Sequence, residues 1–323
     1  MPIGARAGLK PADQLRNYAG QGMLEAAQLN PKVVVLDGDL GNSTGAHEVK
    51  KAFSDRFFNI GIAEANMVGI GAGLASCGYI PILTSLGSFL WYNAYDQARL
   101  SVALAGLNVK FLGSHSGFST GREGPSSMGT EDIVLASALA PMTVLVPCDP
   151  VSMRKLVVAA CAHVGPVYIR SSREPLPHVY AEDVQFEIGR ANVVRQGTDV
   201  TLIGCGLMVP VALDAAAILA EEGIQARVLD MHTVKPLDVA AIMAAARETG
   251  AIVTGEEQVR TGGVGSNIAR VVAETYPVPM RVLAIPDVFP DTASPAEIMQ
   301  DCGLTAEDMA GAARELVAVK CAA

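Results

Sequence analysis

Three segments of this chain hold side chains that could do chemistry. In Asn59-Ile60-Gly61-Ile62-Ala63-Glu64-Ala65-Asn66-Met67-Val68-Gly69, one carboxylate stands among apolar and small residues at a predicted helix start. A buried carboxylate is costly without a partner. Glu64 therefore either meets a polar group brought to it or serves the free amides and dipole of its own first turn. In Ser88-Phe89-Leu90-Trp91-Tyr92-Asn93-Ala94-Tyr95-Asp96-Gln97, Phe89, Tyr92 and Tyr95 recur every third residue. On a helix that spacing sets three rings on roughly one face. Such a stripe is core or the wall of a binding site, and its two phenols need polar partners that a plain core seldom offers. The third segment, Gly113-Ser114-His115-Ser116-Gly117-Phe118-Ser119-Thr120-Gly121-Arg122-Glu123-Gly124-Pro125, is polar and glycine-rich. A histidine and two opposite charges there suit a polar ligand, and a solvated turn would account for each residue singly.

These residues need a frame, and the frame is legible as an alternation. Short β-branched runs at 33–36, 80–84, 109–112, 143–146 and 167–170 end at Gly, Asp or Pro and are followed by Ala-rich amphipathic stretches. Apolar strands alternating with helices predict a parallel sheet covered on both faces. The His115 loop then follows a strand's carboxyl end, where such sheets gather ligands. Residues 171–189, with prolines, charges and no period, read as a connection between domains. A second alternation follows: strands at 200–204, 226–229, 252–255 and 281–284, with a helix over 209–222. The expected fold class is α/β, with one doubly wound domain over 1–180 and a smaller one over 190–323.

Composition narrows the function. The 323 residues are half apolar and carry a net charge of −9 without a Lys/Arg block, which argues against nucleic acid as a partner. No apolar run is long enough to span a membrane, and residues 1–10 lack the apolar stretch of a secretory signal, so the cytoplasm is the expected location. The cysteines at 77, 148, 161, 205, 302 and 321 lie too far apart for a zinc or dithiol motif. They read as free thiols, most of them in the core.

In this order the three segments resemble the pyrimidine-binding half of transketolase, and the resemblance covers nearly the whole chain. It implies a thiamine-diphosphate enzyme moving a two-carbon ketol unit from a ketose, expected to be phosphorylated, to an aldehyde. Glu64 would be the family's catalytic glutamate on the aminopyrimidine ring, with Phe89, Tyr92 and Tyr95 walling that ring. Asp37-Gly38-Asp39-Leu40-Gly41-Asn42-Ser43 is similar to the family's first strand-to-helix loop, with Asp39 near the cofactor and Ser43 toward the substrate's distal end. His115 would contact the reacting oxygens and Glu123 a substrate hydroxyl. Arg16 and Arg173 fall where the family clamps phosphate, a task that guanidinium forks suit; a surface salt bridge is the plainer reading of either.

The chain also departs from the family. Glu123 replaces the usual aspartate and Ser126-Ser127 a Thr-His pair, which puts the usual pentose phosphate specificity in question. The Gly-Asp-Gly motif that holds metal and diphosphate is missing. The resemblance then implies half an enzyme: Mg2+ and the diphosphate sit on a separate N-terminal transketolase subunit, in an α2β2 assembly acting on small sugars. Alternatives are the β subunit of a 2-oxoacid dehydrogenase, whose pattern the 115–125 loop does not follow, and a non-catalytic regulatory paralogue. A deoxyxylulose phosphate synthase would have arginine at His115. Gly204-Cys205-Gly206 and Thr261-Gly262-Gly263-Val264-Gly265-Ser266-Asn267 imitate nucleotide loops without the full fingerprint.

Overall fold

The computed structural model describes residues 1–322. Its strands are β1 (Lys10–Asp13), β2 (Val33–Asp37), β3 (Phe57–Asn59), β4 (Ile80–Leu86), β5 (Lys110–Ser114), β6 (Thr143–Leu145), β7 (Val167–Arg170) and β8 (Leu176–His178), then β9 (Asn192–Arg195), β10 (Val200–Gly204), β11 (Ala226–Asp230), β12 (Thr233–Lys235), β13 (Ile252–Val259) and β14 (Met280–Ile285). One seven-stranded sheet has the order β12-β6-β7-β5-β4-β2-β3 and a five-stranded sheet the order β14-β13-β10-β11-β9. Each is parallel except at β12 and β9. The fold is thus α/β with two mostly parallel sheets, as expected.

Period-two alternation within buried strands explains the layers. Val33 and Val35 of β2 join one core cluster with Leu15, Met23 and Val157 from the helices Leu15–Leu29 and Pro150–Ala162. Val34 and Leu36 join the other, with Met67, Val68, Leu90 and Trp91 from the helices Glu64–Ser76 and Gly87–Gln97. Every residue of β2, β4, β5 and β10 is buried, which is why these strands are mostly apolar on both faces rather than alternating. Cys148, Cys161 and Cys205 are buried free thiols as expected, whereas Cys77 is exposed and Cys302 half-buried. The Cys321 side chain lies outside the described residues.

Two features differ from expectation. Residues 171–189 are no loose connection: β8 pairs antiparallel with β1, Asp149 Oδ2 accepts from the amides of Val179 and Tyr180, and Tyr180 Oη donates to Asp230 Oδ2 at 2.7 Å. Strands of three or four residues containing Pro11 and Pro177 have no period to find. The second difference is β12, which leaves the C-terminal part of the chain and pairs with β6 as an edge strand of the first sheet. Lys235 Nζ, at its end, donates to the carbonyls of Ser137 and Leu139 and so closes the helix Asp132–Ala138. No described helix is long and apolar enough to cross a membrane.

Candidate active site

The chain passes from β2 to β3 on one side and then to β4 on the other. Strand order reverses there, and the carboxyl ends of β2 and β4 flank a crevice of the kind that binds ligands in such sheets. Asp37, the last residue of β2, shapes its rim. Its Oδ2 accepts from the amides of Leu40 at 3.1 Å and Gly41 at 3.0 Å, and its Oδ1 from Thr84 Oγ1 at 3.0 Å. Burial raises the Asp37 pKa, and these bonds oppose the rise. The turn leaves Asp39 exposed at φ 65°, where it accepts from Asn59 Nδ2 at 2.7 Å.

Glu64 opens the helix Glu64–Ser76 beside this crevice, with 4 % of its surface exposed. It does not cap that helix. Its Oε1 accepts from Ser85 Oγ, near the end of β4, at 2.9 Å, and Oε2 has no hydrogen-bond partner among the described residues. Two residues beyond Ser85, Gly87 starts the next helix so close to the loop after β5 that a Cβ there would overlap Ser116 Oγ. From this helix Leu90, Trp91 and Ala94 face the core. Of the aromatic stripe, Tyr95 is half-buried and packs against that core, Phe89 is half-buried, and Tyr92 is 42 % exposed. Tyr92 Oη bonds the Glu131 carboxylate and, at 3.3 Å, the Met128 carbonyl, while Tyr95 tilts against Trp91 at 6.3 Å.

The other end of the crevice is cationic. His115 follows β5 with φ 57°, a left-handed conformation uncommon outside glycine. Ser114 Oγ donates to the Ser43 carbonyl at 3.1 Å and lies 2.8 Å from His115 Nδ1. A hydroxyl has one proton to give; with it on Ser43, Nδ1 is the donor and Nε2 carries the free lone pair. Burial, then the charges of Arg173 and Arg16, lower the His115 pKa to about 4, so the ring is neutral at pH 7. Arg173, just beyond β7, donates to Glu123 Oε1 at 2.5 Å and to the Thr120 carbonyl at 3.3 Å. Arg16 is half-buried and its guanidinium has no partner among the described residues.

Of the ten residues singled out in the sequence, Asp39, His115 and Arg173 closely follow β2, β5 and β7 at the carboxyl edge of the first sheet, whereas Phe89, Tyr92 and Tyr95 run along the helix that follows β4. Arg16 and Arg173 lie near His115, whose neighbour Ser114 bonds the Ser43 carbonyl, and Arg173 holds Glu123; Tyr92 is bonded to Met128 and Glu131, in the segment that bridges Gly117 of the His115 loop. The arrangement comprises a buried carboxylate, three partly exposed rings, two guanidinium groups and a neutral imidazole. Sequence reasoning missed Ser85, Ser114 and Glu131, which orient Glu64, His115 and Tyr92. Ser114 could have been suspected beside His115; Ser85 lies in an ordinary strand and carried no signal. No cluster of His, Cys, Asp and Glu among the described residues could hold a metal. The nucleotide-like loop at 261–267 is already satisfied, because Glu256 accepts from the amides of Val264 at 2.7 Å and Gly265 at 2.8 Å.

Comparison with known proteins fits this geometry. Residues 13–178 match the family described as transketolase, pyrimidine binding domain, and residues 189–309 the transketolase C-terminal domain. The chain is 40 % identical over 294 residues, 91 % of each protein, to the 6-deoxy-6-sulfo-D-fructose transketolase subunit SqwH of Clostridium sp. strain MSTE9. It is 37 % identical over 296 residues, 91 % of this chain and 95 % of the other, to a subunit of the apulose-4-phosphate transketolase of Phocaeicola vulgatus. It superimposes on a split gene transketolase, described as an inactive beta4 tetramer, with TM-score 0.88 and 40 % identity over 96 % of this chain and 100 % of that one. It spans about half the length of the mammalian transketolases it matches.

Proposed function

Since the chain belongs to the transketolase family, as the pyrimidine-binding and C-terminal subunit of its split form, we propose that it forms one side of the active site of a two-subunit enzyme transferring a two-carbon ketol unit. The family depends on thiamine diphosphate, which when bound supplies a carbon nucleophile. The observation that carries the reading is the state of Glu64: buried, held at Oε1 by Ser85, with Oε2 free of any hydrogen-bond partner among the described residues.

That environment fits an aminopyrimidine. Glu64 would hold a proton on the ring nitrogen, with Ser85 fixing the carboxyl plane. Phe89, Tyr92 and Tyr95 would exclude water from the ring faces, Tyr92 held by Glu131, and Asp39 would border the cofactor. At the other end His115 Nε2 would accept from a substrate hydroxyl. Arg16 and Arg173 would take a distal anion, Ser43 would line its path, and Glu123 would hold a hydroxyl while orienting Arg173. Relatives named for a sulfonated and a phosphorylated sugar support an anionic ketose as the donor class. Mg2+ and the diphosphate belong on the partner subunit, in an α2β2 assembly working in the cytoplasm. The parts 1–180 and 190–323 divide this work between binding and assembly.

Reconstitution tests this. The chain mixed with its diphosphate-binding partner, thiamine diphosphate and Mg2+ should transfer a two-carbon unit between sugars, and the chain alone should not. Equal activity without the partner would remove the split-site reading, and no transfer in the mixture would remove the transketolase reading.

A further inference from the structure

Behind the His115 loop lies a buried charged network that the reaction itself does not use. Arg170, the last residue of β7, is 3 % exposed; Asp132 is 0 % and Glu257 2 %. Arg170 Nε donates to Asp132 Oδ2 at 3.0 Å and Nη1 to Glu257 Oε1 at 2.6 Å, while Nη2 donates to the Glu257 carbonyl at 3.1 Å. Tyr168 Oη donates to Asp132 Oδ2 at 2.5 Å and lies 3.2 Å from Ser116 Oγ. Burial alone would pull the guanidinium pKa down; Asp132 and Glu257 outweigh it and hold it up. Glu257 stands on β13, in the second sheet. The network therefore joins the C-terminal sheet to the loop of the first.

The loop rests directly on it. Gly117 has φ +65°, and a Cβ there would lie 2.6 Å from both Arg170 Nη2 and the Glu257 carboxyl carbon. Its amide and carbonyl exchange hydrogen bonds with Gly129, and the Ser116 amide donates to the Ser171 carbonyl. Ser171 and Ser172 lead straight from Arg170 to Arg173, whose amide donates to Ser119 Oγ at 3.0 Å. His115, two residues before Gly117, and Arg173, three after Arg170, thus flank one platform.

We propose that Glu257 of the C-terminal part, acting through Arg170, is a positioning residue for His115 and Arg173, so that the second sheet sets the geometry of the substrate clamp in the first. The inference rests on the proposed function for what the clamp binds, and on the structure alone for the positioning. Neutralising Glu257 leaves Arg170 paired with Asp132 but removes the charge-assisted bond that ties its Nη1 to β13, and the Gly117 turn packs directly on this guanidinium and carboxyl.

Two variants test it, Glu257→Gln and, acting from the loop side, Gly117→Ala. In the isolated chain, amide hydrogen exchange over residues 114–121 should rise about tenfold or more while β2 keeps its protection. In the reconstituted complex, kcat/KM for an anionic ketose should fall roughly tenfold or more, with half-saturation by thiamine diphosphate moving less than about threefold. Unchanged loop exchange in a folded variant, or parallel loss of cofactor and substrate affinity, overturns the proposal. If Glu257→Gln does not fold, Gly117→Ala decides. If the wild-type complex transfers nothing, the functional reading fails, and exchange still decides the positioning.

Discussion

Among single residues, the partners of the chemical groups matter as much as the groups themselves. Ser85 gives Glu64 Oε1 a proton at 2.9 Å, and hydrogen bonds to charged groups contribute about 1.5–3 kcal/mol. Ser85→Ala should cost the reconstituted enzyme roughly tenfold or more in kcat and lower its melting temperature by only a few degrees; a variant with full kcat would show that the bond does not orient Glu64. The clamp gives a second expectation. Arg16 has no competing partner among the described residues, whereas Arg173 already holds Glu123. Arg16→Ala should raise KM for an anionic donor roughly tenfold or more and leave a neutral ketose unaffected. Equal effects on both donors would exclude Arg16 from anion binding. The motifs made Glu64 and His115 legible because they concentrate unusual residue types in short segments. Their orienting serines were not, because a lone serine at a strand's end is common and its partner lies 21 residues away for Ser85 and 71 for Ser114.

For elements, the strap formed by residues 171–189 is tied through Tyr180 to a buried titrating group at the end of β11. Burial pushes the Asp230 pKa up to about 7, against the bonds from Tyr180 and Cys148, and Asp230 Oδ1 has no partner among the described residues. A folded-state pKa above the unfolded value of about 3.9 means this group's stability contribution is complete below about pH 4 and is lost as pH rises through about 7. A shift of that size corresponds to a few kcal/mol, to order of magnitude. Asp230→Asn should therefore gain urea resistance relative to wild type between about pH 5 and pH 8. A constant difference between the two across that range would contradict the buried-carboxyl assignment. The long apolar strands were legible in the sequence because burial on both faces leaves continuous Val/Ile/Leu runs. The strands β1, β3, β8, β9 and β12 were not, since their few apolar residues are broken or bounded by Pro, Asn, Arg or Lys and their place is fixed by partners distant in sequence.

At the scale of the molecule, the two sheets are less separate than a linear reading suggests. β12 extends the first sheet from the C-terminal part, and Glu257 reaches from β13 to Arg170 under the first sheet's loop. In the proposed function the chain would contribute a proton-handling carboxylate, an aromatic wall and an anion clamp, and the metal and diphosphate would fall to its partner. The most direct measurement is the rate at which thiamine diphosphate, bound in the reconstituted complex, trades its thiazolium C2 proton for deuterium. The account predicts that Glu64→Gln slows this exchange by about 100-fold or more while the cofactor still binds. Exchange at the wild-type rate in that variant would contradict it.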